Sequence, residues 1–441
     1  MLLVLFALSM RTDTQAAAQN RYVYAYVLQA ADKNLVVRAV DPDESDTAHN
    51  LYIFPLPLDP QIRTDRQGLS KVTTSSDGNW MAFVISDDTI RRISLLNLNT
   101  HELRLLPVII PVDFDVSDSP QQDIMWSPDS HYLAFNALQG DSLEFGIDTM
   151  LYSPADDALL NLTNDQPEQY HLAWSGDSTK LAILQEEHTT TPTNRVSIEI
   201  FDVASRKREQ SIFIREINSS YSYNYALLCR LAWSPDSRYL NFNQFCDSTN
   251  FQDAKELYLA DMIQGSVTPL TNFTMSLTLS DPAIPFNFLY ADYDTVWYDA
   301  DTLLIGATFS DAANRDKLDT QTMQYKLAEN RITIIDTVLR TDWAINPMTR
   351  QIAYKSIDTT HISIKIAVLN GTDITVMNSY PINGSHLSWS PDGMTLAFIA
   401  ASHQLGFVNA ENGQLGNHTI SVEEGIFFPV GWVADLRADI R

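Results

Sequence analysis

The feature that most constrains this chain is a short motif that recurs along its length. In its clearest form the motif reads Trp-Ser-Pro-Asp and is soon followed by Leu-Ala-Phe or a close variant. Four strong copies begin at Trp126, Trp174, Trp233 and Trp389, and weaker copies are anchored at Thr74, Trp297 and Trp343. Successive anchors lie 46 to 64 residues apart, which indicates an architecture built from repeated units.

Each repeat is predicted to contain four antiparallel strands. Ser-Pro-Asp-Gly suits a type I turn, so the motif and its flanking apolar runs predict a hairpin. Alternation within Leu-Ala-Phe puts Leu and Phe on one face and the small Ala on the other. Two more strand-like runs follow each hairpin, for example at 198–203 and 210–214. The copy at Trp343 is predicted to have a turn two residues longer, around Asn346 and Pro347.

Repeats of four strands and this length are typical of β-propeller blades. Trp432 begins an eighth unit that has no room for its remaining strands, whereas 22–27, 34–40 and 51–56 resemble a second, third and fourth strand. We therefore expect the strand at Trp432 to be the innermost strand of a blade begun by the N-terminal segment. The prediction is a single closed all-β propeller with eight blades. Seven blades is the alternative if one weak copy is misread.

The motif Trp-Ser-Pro-Asp-[Ser/Gly]-x-x-Leu-Ala-Phe resembles the repeat of the WD40-like (PD40) propellers of the TolB-like type. Related repeats occur in the propeller domains of prolyl oligopeptidase-type enzymes. The resemblance extends over residues 21–434 and implies a propeller fold. It implies no function, because the motif residues form turns and cores, while function resides in sites placed on a fold. The chain departs from TolB, which has six blades and a separate N-terminal domain, and it lacks the hydrolase domain of the peptidases.

The first residues read as a targeting signal. The apolar run 2–10 is too short to span a bilayer, and Ala16 and Ala18 have the spacing of a signal-peptidase site. We predict a signal peptide at 1–18, cleavage before Gln19, and a propeller domain at 19–441 in the periplasm, cell envelope or extracellular space. The alternative is a frayed apolar N-terminus. Since the rest of the sequence has no run of 18 apolar residues, we expect no membrane span.

The net charge of the chain restricts the classes of molecule that it can bind. The chain has 55 acidic and 29 basic residues and a net charge of −26, so it repels nucleic acid and anionic membrane surfaces. The common phosphate-loop, dinucleotide, zincin and serine-hydrolase motifs are absent from the sequence, and we assign no catalytic, cofactor-binding or metal-binding residues. We expect a monomer that binds a protein, a peptide or a glycan.

A concentration of aromatic residues predicts a ligand-binding surface. Aromatic residues concentrate before two of the anchors, Trp233 and Trp297, within the two longest repeats: Tyr221, Tyr223, Tyr225, Phe286, Phe288, Tyr290 and Tyr293. Such side chains offer large, rigid contact areas and are enriched at binding surfaces. The alternative is that they pack the longer loops against their own blades.

Two other sets of residues have structural and chemical interpretations. Cys229 and Cys246 flank one hairpin, so they form either a disulfide or two buried free thiols. The acidic residue of each turn could belong to a ring of metal ligands, but turn hydrogen bonding is the favoured interpretation; these residues are Asp77, Asp129, Asp177, Asp236 and Asp392.

The leading functional hypothesis is an exported, non-enzymatic binding or scaffold module. The alternative is a propeller enzyme, a glycan hydrolase or lyase with its active site in the central channel. That alternative requires carboxylates or a histidine that converge near the channel.

Overall fold

The computed structural model describes most of the repeat region. The described residues are 22–29, 35–44, 48–54, 68–86, 91–110, 124–138, 147–164, 168–187, 193–218, 231–245, 255–271, 288–311, 318–336, 338–357, 361–401, 404–419 and 426–434. Among these residues the regular structure is almost entirely β. A 3-10 turn at Pro42–Glu44 is the exception in the described ranges.

The strands form eight sheets of four, which we number as blades in chain order. Blade 1 contains β1 (Tyr22–Gln29), β2 (Leu35–Val40), β3 (Ala48–Phe54) and β32 (Ile426–Ala434). Blade 2 contains β4 (Gly68–Thr74), β5 (Trp80–Ser86), β6 (Arg91–Asn97) and β7 (Leu103–Leu105). Blade 3 contains β8 (Ile124–Trp126), β9 (Leu133–Leu138), β10 (Ile147–Ser153) and β11 (Ala158–Asn161). Blade 4 contains β12 (Glu168–Trp174), β13 (Lys180–Glu187), β14 (Thr193–Asp202) and β15 (Lys207–Asn218).

The second half continues the pattern. Blade 5 contains β16 (Leu231–Trp233), β17 (Tyr239–Phe245), β18 (Lys255–Asp261) and β19 (Ser266–Pro269). Blade 6 contains β20 (Phe288–Trp297), β21 (Thr302–Asp311), β22 (Leu318–Lys326) and β23 (Arg331–Asp336). Blade 7 contains β24 (Leu339–Ile345), β25 (Ile352–Ile357), β26 (Ile362–Asn370) and β27 (Asp373–Tyr380). Blade 8 contains β28 (Ser385–Trp389), β29 (Thr395–Ala401), β30 (Gln404–Asn409) and β31 (Leu415–Thr419).

Every blade is an antiparallel sheet, and blades 2 to 8 each contain four consecutive strands in chain order. Together the blades form a ring, so the molecule is an eight-bladed β-propeller, as the repeat predicts. Blade 1 has the order β3-β2-β1-β32. Its β1–β32 register runs from Tyr22 opposite Ala434 to Gln29 opposite Ile426, with one irregularity next to Ala25. The prediction that the strand at Trp432 completes the N-terminal blade is therefore confirmed.

The ring has two distinguishable faces. The turn face is the side of the ring where the first strand of each blade ends and turns into the second, as at Trp126, Trp174 and Trp233. The loop face is the opposite side, where the first strands begin and the second strands are connected to the third. Because antiparallel strands alternate in direction, these two sets of connections lie on opposite sides of the ring.

Eight apolar clusters hold the blades together, one between each pair of neighbours. The predicted alternation of Leu-Ala-Phe explains them: Leu133 and Phe135 pack in the cluster between blades 2 and 3, whereas Ala134 packs in the cluster between blades 3 and 4. Burial of such side chains is the main stabilising contribution, at about 25 cal/mol per Å² of apolar surface. The smallest cluster among the described residues lies between blades 6 and 7; it has four buried members, compared with seven to fourteen in the others.

Tryptophan indoles connect neighbouring first strands by hydrogen bonds. At five interfaces between described blades, an indole Nε1 donates to a backbone carbonyl of the preceding blade. The acceptor is the residue just before the last residue of that blade's first strand. The pairs are Trp174 to Met125, Trp233 to Ala173, Trp297 to Ala232, Trp389 to Ala344 and Trp432 to Ser388, at 3.0–3.4 Å. The repeated tryptophan therefore fills the interface with a large ring and also fixes one blade to the next.

Blade 7 departs from the predicted alignment. Its first strand ends at Ile345, two residues after Trp343, and Asn346 N donates to Gln351 O at 2.8 Å just as Ser127 N donates to Tyr132 O. The turn at 346–351 thus has the same length as the turn at 127–132, so the prediction of a longer turn is wrong. The register of β24 shifts between Thr341 and Ala344, and Asp342 has φ 52°. The extra length therefore lies in an irregularity within the strand.

Candidate functional site

The acidic residues of the repeat are structural members of the turn face. In five turns a Ser hydroxyl donates to the Asp carboxylate two residues later at 2.5–2.7 Å: Ser75–Asp77, Ser127–Asp129, Ser175–Asp177, Ser234–Asp236 and Ser390–Asp392. Each of these carboxylates also accepts the backbone N–H two residues further on, at 3.0–3.3 Å. The turn interpretation of these residues is confirmed, because their Oδ1 atoms already accept hydrogen bonds from the turn.

These hydrogen bonds shift the ionisation of two of the carboxyls. Burial by itself would raise the pKa of Asp177, but hydrogen bonds from Ser175 Oγ and from Thr179 stabilise the anion and leave the pKa below its usual range. The pKa of Asp129 is lowered for the same reasons. Both groups are therefore ionised at neutral pH and serve as permanent acceptors within their turns.

The candidate ligand surface lies on the loop face. Tyr221, Tyr223, Tyr225 and Phe286 lie outside the described residues, as do Cys229 and Cys246. The other three aromatics, Phe288, Tyr290 and Tyr293, lie on β20, in register with Asp311, Ser310 and Ala307 of β21. They occupy the first six positions of an innermost strand, where that strand begins at the loop face.

The two aromatic segments lead into neighbouring blades. The segment 219–230 precedes β16 of blade 5, and the segment 272–287 precedes β20 of blade 6. These two first strands are joined by Trp297 Nε1, which donates to Ala232 O at 3.4 Å and to Asn241 Oδ1 at 2.7 Å. The structure thus brings the starts of the two strands to the same face of adjacent blades.

Blade 6 has long inner strands. β20 and β21 each have ten residues. At about 3.4 Å per residue in an antiparallel strand, β20 is roughly 34 Å long. It ends at Trp297 on the turn face, so its first positions, which hold the three aromatic residues, lie at its loop-face end.

Buried carboxylates also occur at the loop-face ends of blades 3 and 4, and sequence reasoning missed them. Asp148 is fully buried and accepts from Asn161 Nδ2 at 2.6 Å and Thr163 Oγ1 at 3.2 Å. Glu186 is fully buried and accepts from Asn194 Nδ2 at 2.7 Å. An acidic residue within or at the end of an apolar strand would have been the sequence signal. These bonds connect neighbouring strands of one sheet, which is a structural role.

Two other kinds of feature are absent from the described residues. Within the described ranges, no group of three His, Cys, Asp or Glu side chains could hold a metal ion. Nor does that part of the chain contain a helix that is long and apolar enough to cross a membrane. The described residues form a ring with a polar, hydrogen-bonded turn face, and an aromatic strand begins on the other face.

The class of protein is thus an eight-bladed β-propeller, and comparison with known proteins supports the fold. No protein-family model and no curated protein matches the sequence. Among solved structures the chain is similar to a eukaryotic initiation factor, at 10% identity and a TM-score of 0.52, over 93% of this chain and 98% of that one. It is also similar to a puromycin-hydrolysing peptidase from Mycobacterium tuberculosis, at 14% identity and a TM-score of 0.51, over 83% of this chain.

The matched peptidases are longer than this chain. The chain spans 56% of the puromycin-hydrolysing peptidase and 50% of a matched prolyl endopeptidase. TolB from Acinetobacter baumannii also matches, at 14% identity over 82% of each chain, with a TM-score of 0.36 that does not distinguish it from other propellers. At these identities the likeness shows the propeller fold and leaves the activity of each matched protein its own.

Proposed function

We propose that this propeller is a non-enzymatic binding module that holds a protein, peptide or glycan on the loop face beside blades 5 and 6. The observation that carries the proposal is the position of β16 and β20, the first strands of adjacent blades. One aromatic segment precedes β16, and Phe288, Tyr290 and Tyr293 lie on the loop-face end of β20. Aromatic side chains bind well because they bury large areas at a small entropy cost. The net charge of −26 favours a neutral or basic ligand.

The test measures binding of defined probes to the purified protein by thermal shift and calorimetry. The probes are cello-, chito- and maltohexaose and a library of basic and neutral decapeptides. For any probe that binds, the double variant Tyr223→Ala/Tyr290→Ala should weaken affinity at least tenfold, which is about 1.4 kcal/mol. Phe213→Ala is the matched control, because Phe213 is an exposed aromatic on the outer strand of blade 4.

The outcomes separate the hypotheses. Equal affinity of the double variant and the wild type would contradict an aromatic binding surface. Cleavage of a hexasaccharide during long incubation would favour the enzyme alternative. If none of these probes binds, the glycan and linear-peptide versions of the proposal fail, and a folded protein partner is left.

Export and the cysteine bridge are further parts of this proposal. The supporting observations are the apolar run 2–10 with Ala16 and Ala18, and the two cysteines on either side of the β16–β17 hairpin. N-terminal sequencing of the protein expressed in a bacterial host should give Gln19 in the exported fraction; Met1 in the cytoplasm would contradict export. Alkylation in denaturant without reductant should leave Cys229 and Cys246 unmodified, and two alkylated thiols in the exported protein would exclude the bridge.

A further inference from the structure

The turn of blade 7 differs from the other turns of the repeat in one side chain. Five turns carry Asp two residues after the Ser that begins them, and that carboxylate accepts hydrogen bonds within the turn. In blade 7 the turn begins at Asn346, so the position of the Asp is occupied by Met348. An apolar thioether therefore lies on the turn face where five other blades have a carboxylate.

The side chain of Asn346 provides the hydrogen bonds of this turn. Its Oδ1 accepts the backbone N–H groups of Met348 at 2.9 Å and of Thr349 at 3.0 Å. Its Nδ2 donates to Gly393 O of blade 8 at 2.8 Å, and the residue is fully buried. Because Asn346 supplies the acceptor, the turn does not require a polar side chain at residue 348.

Met348 lies at the junction of blades 7 and 8 and is 68% exposed. A Cβ on Gly393 would come within 3.0 Å of Met348 Cβ and 3.1 Å of its Cγ, so the stem of the methionine packs against the turn of blade 8. Gly393 permits this approach because it has no side chain. The next residue of that turn is Met394, which is 43% exposed. Two exposed methionines therefore flank Gly393 on the turn face.

Other methionines provide an internal comparison. Met81 is fully buried and Met323 is 2% exposed. Met377, on the outer strand of blade 7, is 52% exposed, and its Sδ accepts a hydrogen bond from Gln351 Nε2 at 3.5 Å. Among the methionines that the structure describes, Met348 has the largest exposed fraction.

An exposed thioether reacts with two-electron oxidants. In the reaction with hydrogen peroxide, the sulfur bonds to one peroxide oxygen, the O–O bond breaks, and the other oxygen leaves as water. The sulfur loses two electrons and becomes a sulfoxide, which is polar and can be reduced again by methionine sulfoxide reductases. The net charge of −26 repels anionic oxidants, so a neutral oxidant such as hydrogen peroxide is the class that reaches this surface.

We propose that Met348 is a site of reversible oxidation in the folded protein, and that Met394 beside it is a second one. Neither methionine belongs to the apolar cluster between blades 7 and 8. A sulfoxide at residue 348 places an acceptor oxygen where other turns carry a carboxylate, so the fold tolerates it. The site lies on the turn face, opposite the aromatic surface, and does not depend on the proposed binding function.

The first test measures where hydrogen peroxide oxidises the purified, folded protein. After quenching with catalase, peptide mass spectrometry gives the rate of sulfoxide formation at each methionine. Met348 should be oxidised at least about tenfold faster than Met81 and Met323, because oxidation follows exposure. In concentrated urea, which exposes all three residues, the rates should become similar. Methionine sulfoxide reductases A and B should then reduce Met348 in the folded protein.

The second test uses glutamine, which is polar and similar in size to methionine sulfoxide. Met348→Gln should leave the unfolding midpoint unchanged. Met323→Gln is the matched control and should lower the midpoint strongly, because it buries an amide in an apolar cluster. Two results would overturn the proposal: oxidation of Met81 or Met323 in the folded protein as fast as that of Met348, or a midpoint lowered as much by Met348→Gln as by Met323→Gln.

Discussion

At the residue scale, three turns place serine where glycine would be free of strain. Ser130, Ser178 and Ser237 have φ of 60–64°, in the left-handed region, whereas the equivalent positions of the second and eighth blades are Gly78 and Gly393. The hydroxyl explains the choice: Ser130, Ser178 and Ser237 each accept the backbone N–H of the turn Asp in the preceding blade at 2.9–3.0 Å. The backbone strain at these serines is therefore offset by a hydrogen bond between blades.

A pair of variants separates these two contributions. Ser178→Ala keeps the strain and loses the acceptor for Asp129 N, so the free energy of unfolding should fall by about 1–2 kcal/mol. Ser178→Gly loses the same acceptor but relieves a strain of about 1 kcal/mol, so it should be the more stable of the two. Urea denaturation midpoints of the three proteins provide the measurement. If Ser178→Gly is less stable than Ser178→Ala, the strain argument is wrong.

At the element scale, the packing and hydrogen-bond contributions of Trp432 in the closing strand β32 can be separated in a similar way. Trp432 packs edge-on against Tyr24 of its own blade, with ring centroids 5.5 Å apart, and contacts Phe407 of blade 8 at 6.3 Å. Its indole donates to Ser388 O at 3.1 Å. Trp432 therefore contributes packing to the closing blade and a hydrogen bond to the neighbouring one.

Substitution at Trp432 should show that packing dominates. Trp432→Phe keeps an aromatic ring and loses the hydrogen bond, which should lower the free energy of unfolding by about 0.5–1.5 kcal/mol. Trp432→Ala also removes the ring and leaves a cavity, which should cost about 3–5 kcal/mol. Denaturation of both variants is the measurement. Equal losses in the two variants would mean that the hydrogen bond carries most of the contribution.

The extent to which the fold could be predicted from the sequence differs from one element to another. The closing blade was predictable because Tyr24-Ala-Tyr26 has the alternation of Leu-Ala-Phe and Trp432 follows Trp389 at the spacing of a further repeat. Blade 7 was aligned by Trp343 because tryptophan marks the end of the first strand in most repeats. The first strand of blade 7 ends at Ile345 instead, because a bulge in that strand shifts its end two residues beyond Trp343. Strand irregularities of this kind leave no reliable trace in the hydrophobic pattern.

The candidate sites were predictable to different extents. The aromatic segments stand out by composition, although the structure describes only the part on β20. The buried carboxylates Asp148 and Glu186 were missed because the side chains that donate to them, Asn161 and Asn194, lie on neighbouring strands. These contacts depend on the pairing of one strand with the next, which no local pattern encodes.

At the scale of the whole molecule, the charge of −26 should affect stability as well as partner choice. Mutual repulsion of surface carboxylates destabilises a compact state, and salt screens it over a Debye length of about 8 Å at physiological ionic strength. The unfolding midpoint should therefore rise when sodium chloride increases from 10 to 150 mM. Glucose at matched osmolality is the control. A fall of the midpoint with salt would show that attractive ion pairs, such as Arg238 with Asp261, outweigh the repulsion.

The pairing of β1 with β32 has a consequence for synthesis on the ribosome. Tyr26 and His418, which lie on blades 1 and 8 and share a hydrogen bond, are 392 residues apart in the chain. Bringing segments so distant together costs about 5 kcal/mol of loop entropy, and β32 is the last of the described strands to emerge. Until it does, β1 presents an unpaired edge, the kind of surface on which nascent chains aggregate. Translation that stalls after blade 8 would thus release a chain with nearly every blade formed and one exposed strand that can pair with another molecule.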